Sequence, residues 1–475
     1  MATVEKITLP TPGSAAVDGT KVVSTRSSDT DLSVATEKKR GQGSNIAPEE
    51  GRVEAANVED DFPDGGLRAW LVVVGAFCNA FATVGYVTSW GVRVIDYSVI
   101  PSDTNIYAQI FQEYYEKNLL ENYSPAVISW IGSIQYALIF MPGLVVGRLF
   151  DIGYFRITFM LSSALLITSV FLGAQCTKYW HFLLCQGFAS GLGCGGVFSP
   201  THAILSHWFK KKRGLVLGYM AVGASVGGVV LPIAAYKLIP EVGYRWAMRI
   251  LGFIMVVVLG VSNLTVRRRL PVTKVKGGLL NLAAFKDMPY TIYCLSAFFI
   301  FLGIYTFLIY ANVSAAVAGI SPSLVSYFVA LANAGSLFGR WVSGILSDKI
   351  GPMNVMIPFT LFGAAFTYAW PFARSAGSLI PVTIIYGFCS GMFVSLMTAP
   401  IMSLGNEGDV GRRIGMYMTI LAVGALVGPP CSGWIQQSSG GFEMVGIFAA
   451  SSVALGTGLM AVVRFMLSTK WDAKL

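Results

Sequence analysis

The sequence predicts an all-α membrane protein of twelve transmembrane helices arranged as two six-helix bundles. Three observations predict it: apolar runs of spanning length, basic residues confined to alternate loops, and an internal repeat that divides the chain into two like halves.

Of the 475 residues, 54% are hydrophobic and 12% charged, whereas an ordinary soluble domain carries about 25% charged residues. So few charges cannot cover a water-soluble body of this size. The apolar runs fall at 69–95, 125–148, 157–175, 180–206, 214–237, 246–266, 289–317, 322–346, 353–372, 378–404, 413–436 and 442–467. Each approaches the roughly 20 residues that cross about 30 Å of hydrocarbon at about 1.5 Å per residue. Twelve is even, so both termini lie on one side.

The net charge of +9 is spread over short clusters between apolar runs rather than along one face, which excludes a nucleic-acid partner and points to cytoplasmic loops. Loops after even-numbered runs hold Arg148 and Arg156, Lys210 to Arg213, Arg267 to Arg269 with Lys274 and Lys276, Lys349, and Arg412 with Arg413. The opposite loops hold scattered Lys178, Glu241, Arg374 and Glu443, and the acidic stretch from Asp96 to Glu121. Both termini are therefore expected in the cytoplasm. The expected location is the cell membrane, multi-pass; the terminal Ala473-Lys474-Leu475 makes a peroxisomal membrane the alternative.

Residues 1–62 are rich in Ser, Thr, Lys, Glu and Asp and are read as a disordered cytoplasmic tail, without a secretory leader. The expected division continues with an N-terminal bundle over 63–269, a cytoplasmic central loop over 270–288, a C-terminal bundle over 289–467 and a tail over 468–475. The seven cysteines sit almost wholly inside apolar runs, with no CxxC pair and no histidine at ligand spacing. They are read as packing residues, and no metal or cofactor is expected.

The repeat joins Gly147-Arg148-Leu149-Phe150-Asp151-Ile152-Gly153, at the end of the second run, to Gly344-Ile345-Leu346-Ser347-Asp348-Lys349-Ile350-Gly351, at the end of the eighth. Asp151 and Asp348 lie 197 positions apart. Ala221 to Gly227 recurs as Ala422 to Gly428, an offset of 201. Duplicated halves are how many transporters build two bodies that rock about a central site. An Asp in such a turn can cap a helix or pair with Arg across the bundle, locking one conformation, so Arg148, Asp151, Arg156 and Asp348 are the expected inner gate. Small residues at four-residue spacing, Gly187, Gly191 and Gly195, then Gly214, Gly218, Gly223 and Gly227, predict close helix approach.

Arg340 is the candidate binding group. It lies about two turns inside the membrane edge, where a guanidinium costs at least about 2.5 kcal/mol at a helix centre and needs a partner, an aqueous cavity or an anionic substrate. Snorkelling to the surface is the competing reading. Asn333 and Ser336 share its face, and Asn79, Thr88, Gln135, Tyr136 and Asn312 complete the expected polar wall. His181, His202 and His207 lie near helix ends and are read as packing residues. No HExxH, paired carboxylates or nucleophile with an adjacent base is present, so an enzyme is not expected.

Asp64-Gly65-Gly66 before the first run, with Trp70 opening it, resembles the signature of monocarboxylate porters, a branch of the major facilitator superfamily. The likeness extends over nearly the whole chain from residue 62. Trp90-Gly91-Val92, Phe111 to Tyr115, Ser129 to Ser133 and Arg245 to Arg249 resemble fungal members. The resemblance implies the major facilitator fold and places that family's intramembrane, carboxylate-binding arginine on Arg340, with Gly344 following. Ser336 stands where the family pattern has an acidic residue, and Thr88 where it has a lysine, which argues against lactate-type proton symport. Fungal relatives pass from Trp-Gly-Val straight into Phe-Gln-x-Tyr-Tyr, so Arg93 to Ile110 reads as a retained intron. The expected function is secondary transport of a small organic acid or related metabolite by alternating access, in a lipid bilayer, with protons as a candidate coupling ion. Export of a fungal secondary metabolite is the alternative, and a non-transporting metabolite sensor the second.

Overall fold

The computed structural model describes residues 63–88, 114–270, 278–325, 327–404, 407–470 and 473–474. The expected tail over 1–62, the last turns of the first run, the insertion from Arg93 to Ile110 and part of the central loop fall outside these residues.

Among the described residues, ten helices are long and apolar enough to cross a membrane. One of them, Arg213–Thr265, runs for 53 residues, but Gly243 inside it has φ 77 and ψ 160. That is backbone a helix cannot hold and glycine tolerates, so the segment makes two passes. Phe328–Ile350 is helical too, 23 residues long, and carries Arg340 within it and Asp348 and Lys349 at its end. Dividing the one and adding the other gives the expected twelve.

In order they are α1 (Leu67–Thr88), α2 (Pro125–Leu138, resumed as Gly143–Asp151), α3 (Phe155–Gly173), α4 (Tyr179–Trp208), α5 and α6 (213–242 and 244–265), α7 (Met288–Gly303, resumed as Thr306–Val317), α8 (Phe328–Ile350), α9 (Pro352–Phe372), α10 (Ala376–Ser403), α11 (Val410–Ser439) and α12 (Glu443–Leu467). The eighth helix starts later than expected: Pro322–Val325 is a separate turn. Arg148, Lys210 to Arg213, Arg267 to Arg269, Lys349 and Arg412 all gather at one end of the bundle, hereafter the charged end.

Within each half the glycines do what their spacing predicts. A Cβ on Gly195 would sit 2.4 Å from the Leu138 carbonyl oxygen on α2, and one on Gly391 2.5 Å from that of Ser336 on α8. Gly223 and Gly227 face the carbonyls of Phe77 and Phe81 on α1, at 2.2 and 2.6 Å from a Cβ; Gly424 and Gly428 face those of Phe298 and Leu302 on α7, at 2.4 and 2.3 Å. Backbone meets backbone in lipid because no side chain intervenes.

Both repeat offsets are physical. The offset of 197 governs contacts between halves, where Gly214 and Gly218 on α5 correspond to Gly411 and Gly415 on α11; the offset of 201 governs the packing of α5 on α1 and of α11 on α7. The difference of four residues is about one helical turn. Helix α11 therefore carries one extra turn between its two sets of glycines.

The packing predicts a contrast. A Cβ on Gly303 would lie 2.2 Å from the Ala449 carbonyl oxygen, whereas one on Gly458 meets nothing within 4 Å. Gly303→Val is expected to lower stability by more than about 2 kcal/mol, and Gly458→Ala to change it by less than about 1 kcal/mol. Thermal unfolding of the detergent-purified protein measures both.

Candidate functional site: two capped seams and a buried arginine

The halves meet along two seams, α2 with α11 and α5 with α8. At the charged end, each seam is fastened by a carboxylate. Asp151, at the last turn of α2, is buried; its Oδ1 accepts the Gly411 N–H at 3.0 Å and its Oδ2 the Arg412 N–H at 2.9 Å. Asp348, at the last turn of α8, accepts the Gly214 N–H at 2.8 Å and the Leu215 N–H at 3.1 Å. The first amides of a helix lack intrahelical partners and carry the positive end of its dipole. Each half thus caps a helix of the other half, not the next helix in sequence.

Glycine makes this reach achievable. A Cβ on Gly147 would lie 2.2 Å from the Gly411 carbonyl oxygen, and one on Gly344 3.0 Å from that of Gly214. After each Asp the chain turns at a glycine with positive φ, Gly153 at 98° and Gly351 at 95°, a conformation that costs glycine nothing.

The flanking charges are organised around these caps. Asp409 is buried and pairs with Arg413 at 3.0 Å and Arg412 at 3.8 Å, and it accepts the Asn281 amide at 2.8 Å. Arg268 donates to the carbonyls of Phe150 and Asp151, closing the end of α2. Burial draws its guanidinium below its ordinary value, with the Asp151 charge acting in the opposite direction; an arginine stays protonated throughout. Asp64 Oδ1 accepts the N–H groups of Lys210 and Lys211 at 2.8 Å and of Lys212 at 3.3 Å. The chain entering α1 is thereby fixed to the loop before α5. Of the expected gate residues, Arg148 is half-buried one turn before Asp151, while Arg156 is exposed without a hydrogen bond or ion pair among the described residues.

Arg340 lies eight residues, about 12 Å of helix rise, from Asp348. Only 9% of it is exposed, so it does not snorkel to the surface. Its Nε donates to Ser336 Oγ at 3.1 Å and its Nη1 crosses the seam to the Ala221 carbonyl oxygen on α5 at 2.6 Å. The rings of Tyr136 on α2 and Tyr305 on α7 meet edge-on across the halves at 4.8 Å. Phe140 meets Phe301 across the halves at 5.6 Å, and Phe198 and Phe393 extend the aromatic layer on either side. No carboxylate pairs with Arg340 among the described residues.

Farther from the charged end, Thr88 and Asn333 converge on Gly228, whose Cβ would lie 2.7 Å from Thr88 Oγ1 and 4.0 Å from Asn333 Nδ2. Asn312 is buried on α7 with neither amide atom hydrogen-bonded among the described residues. Asn79 and Gln135 sit elsewhere: both are fully buried in the first half. Asn79 donates to the Val197 carbonyl at 2.9 Å and to Thr201, and Gln135 to Ser190 at 2.8 Å. Their amides serve the packing of α1 and α2 on α4. The structure thus brings Arg340, Ser336 and Tyr136 together and adds Tyr305 and Ala221. Those two carried no sequence signal, one being an aromatic residue among many and the other acting through its backbone.

The profile of the Major Facilitator Superfamily matches residues 72–407 and, in a second alignment, 318–473. The chain belongs to this superfamily. It is 36% identical over 409 residues to "MFS-type transporter 1" of Ophiocordyceps sp., covering 86% of this chain and 87% of that one. It is 36% identical to the "Aspyridones efflux protein apdF" of Emericella nidulans (87% and 81% covered) and 32% identical to the "Fujikurins efflux protein" of Gibberella fujikuroi (92% and 91% covered). Among solved structures, the fold matches the E. coli fucose:proton symporter FucP with a TM-score of 0.63 at 14% identity, over 83% of this chain and 98% of that one. It matches the human organic anion transporter MFSD10 with a TM-score of 0.62 at 15% identity, over 84% and 98%.

The caps predict what holds the charged end closed. Asp348→Ala removes two charge-assisted hydrogen bonds and a favourable dipole interaction, costing the closed seam about 2 to 4 kcal/mol. A cysteine replacing buried Ser347, beside Gly214 in that seam, is expected to react with maleimide at least about tenfold faster in the Asp348→Ala background. An unchanged rate would show that the cap does not hold the seam.

Proposed function

We propose that this major facilitator superfamily member exports a secondary metabolite bearing an anionic group, by alternating access between two six-helix halves. The carrying observation is Arg340: a buried guanidinium at mid-depth, at the meeting of both halves, whose protein partners are a hydroxyl and a backbone carbonyl rather than a carboxylate. A buried cation left formally unneutralised is a strong anion site.

Two further facts favour export over uptake of a small monocarboxylate. Relatives covering most of this chain are named efflux proteins for fungal metabolites. Ser336 occupies the turn before Arg340, so the acidic group through which a proton-coupled porter would exchange its proton is absent at that position. For a ligand larger than lactate, Thr88 and Asn333, which converge on Gly228, and the unbonded amide of Asn312 are the proposed hydrogen-bonding groups, and Tyr136 and Tyr305 the proposed aromatic faces.

The transport cycle follows from the caps. With the charged end placed in the cytoplasm on the strength of its clustered Lys and Arg, we read the structure as the state closed to the cytoplasm, held by Asp151 on α11 and Asp348 on α5. Loading requires both caps to break and the seams to part. Asp151, Asp348, Arg148 and the buried Asp409 pairs act as the gate, with exposed Arg156 at its margin. The cell membrane is the proposed location for this cycle.

Comparing metabolites inside and outside cells of the source organism, with the gene deleted and restored, tests the reading. The expected outcome is one compound rising inside the deletion strain and falling in the medium, with restoration reversing both. An external organic acid left unconsumed would instead establish uptake. Arg340→Ala is expected to abolish the restored export at unchanged membrane abundance, and near-normal export would remove the anion site.

A further inference from the structure

The two seams are built on one plan and differ where Arg340 stands. Under the offset of 197, Asp151 corresponds to Asp348, Gly147 to Gly344, Gly411 to Gly214 and Gly415 to Gly218, and each pair makes the same contact in its own seam. One turn farther from the gate, Gly143 corresponds to Arg340. A Cβ on Gly415 would lie 2.1 Å from the Gly143 carbonyl oxygen, and one on Gly218 2.7 Å from that of Arg340. The backbone geometry is thus the same with or without a side chain, so packing does not demand an arginine there. What the arginine adds is a bond across the seam, from its Nη1 to the Ala221 carbonyl oxygen at 2.6 Å.

We propose that the Arg340 guanidinium has two alternative acceptors, the Ala221 carbonyl and the anionic group of the exported compound, so that closing the α5–α8 seam drives the anion off. This rests on the export reading given above. With the seam open, Ala221 is withdrawn and the guanidinium, deprived of a buried acceptor, binds an anion. With the seam closed, Ala221 supplies that acceptor and anion affinity falls on the outward-facing side. Linkage makes the effect reciprocal: an anion on Arg340 favours the open seam, and the empty site favours the closed one. The other seam has no guanidinium at this level: Gly143 offers no donor, and the seam is joined by Thr419 Oγ1, which donates to the Met141 carbonyl at 3.1 Å, and at its end by the Asp151 cap.

The catch is testable without knowing the compound. Spin labels at Lys211→Cys, in the loop before α5, and Lys349→Cys, at the end of α8, report the seam in the full-length chain reconstituted in lipid nanodiscs with the native cysteines replaced. Both positions are exposed. With no added ligand, Arg340→Ala is expected to raise the ratio of long to short distances by about tenfold to about a hundredfold, the range for loss of a hydrogen bond from a charged donor. Asp348→Ala opens the same seam by a separate route and shows that the labels report opening. A response to Asp348→Ala with none to Arg340→Ala overturns the catch. So does an equal response to Ser336→Ala, which leaves the Ala221 bond in place. Metabolite profiling decides export independently: an opened seam in Arg340→Ala together with an unchanged metabolite distribution in the deletion strain keeps the catch and removes the export reading.

Discussion

Helix N-termini that would otherwise end in unsatisfied amides are closed by carboxylates from the opposite half, and the arrangement of the closed bundle depends on this exchange. The first amides of α5 and α11 lie at the membrane surface, where a capping acceptor and a negative charge both stabilise a helix start. Asp348 and Asp151 provide them at distances between 2.8 and 3.1 Å. Such bonds are strong enough to hold two bodies together and few enough to be broken together. Hydrophobic area would not serve, because lipid is as apolar as the helix faces it would replace.

The caps in turn require glycine. Any side chain at Gly147 would displace the Gly411 carbonyl, and one at Gly218 would press on Arg340. The same residue type packs α4 on α2 and α10 on α8 within the halves. In one case the contact lies within a half, in the other between the halves. The difference lies in what surrounds the glycines: within a half, buried apolar side chains continue the interface, while between halves the interface ends in charged caps and the aromatic layer of Phe140 and Phe301.

Symmetry makes the paired caps, and its breaking sets Arg340 apart. Duplicated halves give paired caps, paired glycines and paired turns at Gly153 and Gly351. Arg340 against Gly143, and the extra turn in α11, are where the halves have diverged. A charge placed once, midway along α8, where both halves contribute tyrosines, has no structural counterpart to balance it, and that imbalance is the basis of the proposed anion site.

The sequence by itself determined the class of protein, the number of passes and the two halves, and singled out Arg340 as a charge inside the bundle, because each rests on one-dimensional physics: the length of apolar runs, the placement of Lys and Arg, the recurrence of Gly and Asp, and the cost of a charge in hydrocarbon. It could not decide which face of each helix looks inward. Asn79 and Gln135 read as wall residues on polarity alone, yet the rotation of α1 and α2 turns their amides into the packing with α4. Nor could it show that Asp151 and Asp348 reach helices 260 and 134 positions away, or that Arg340 bonds Ala221 through a carbonyl every residue possesses. Those outcomes depend on helix rotation and on the register between halves, which only the packed tertiary structure fixes.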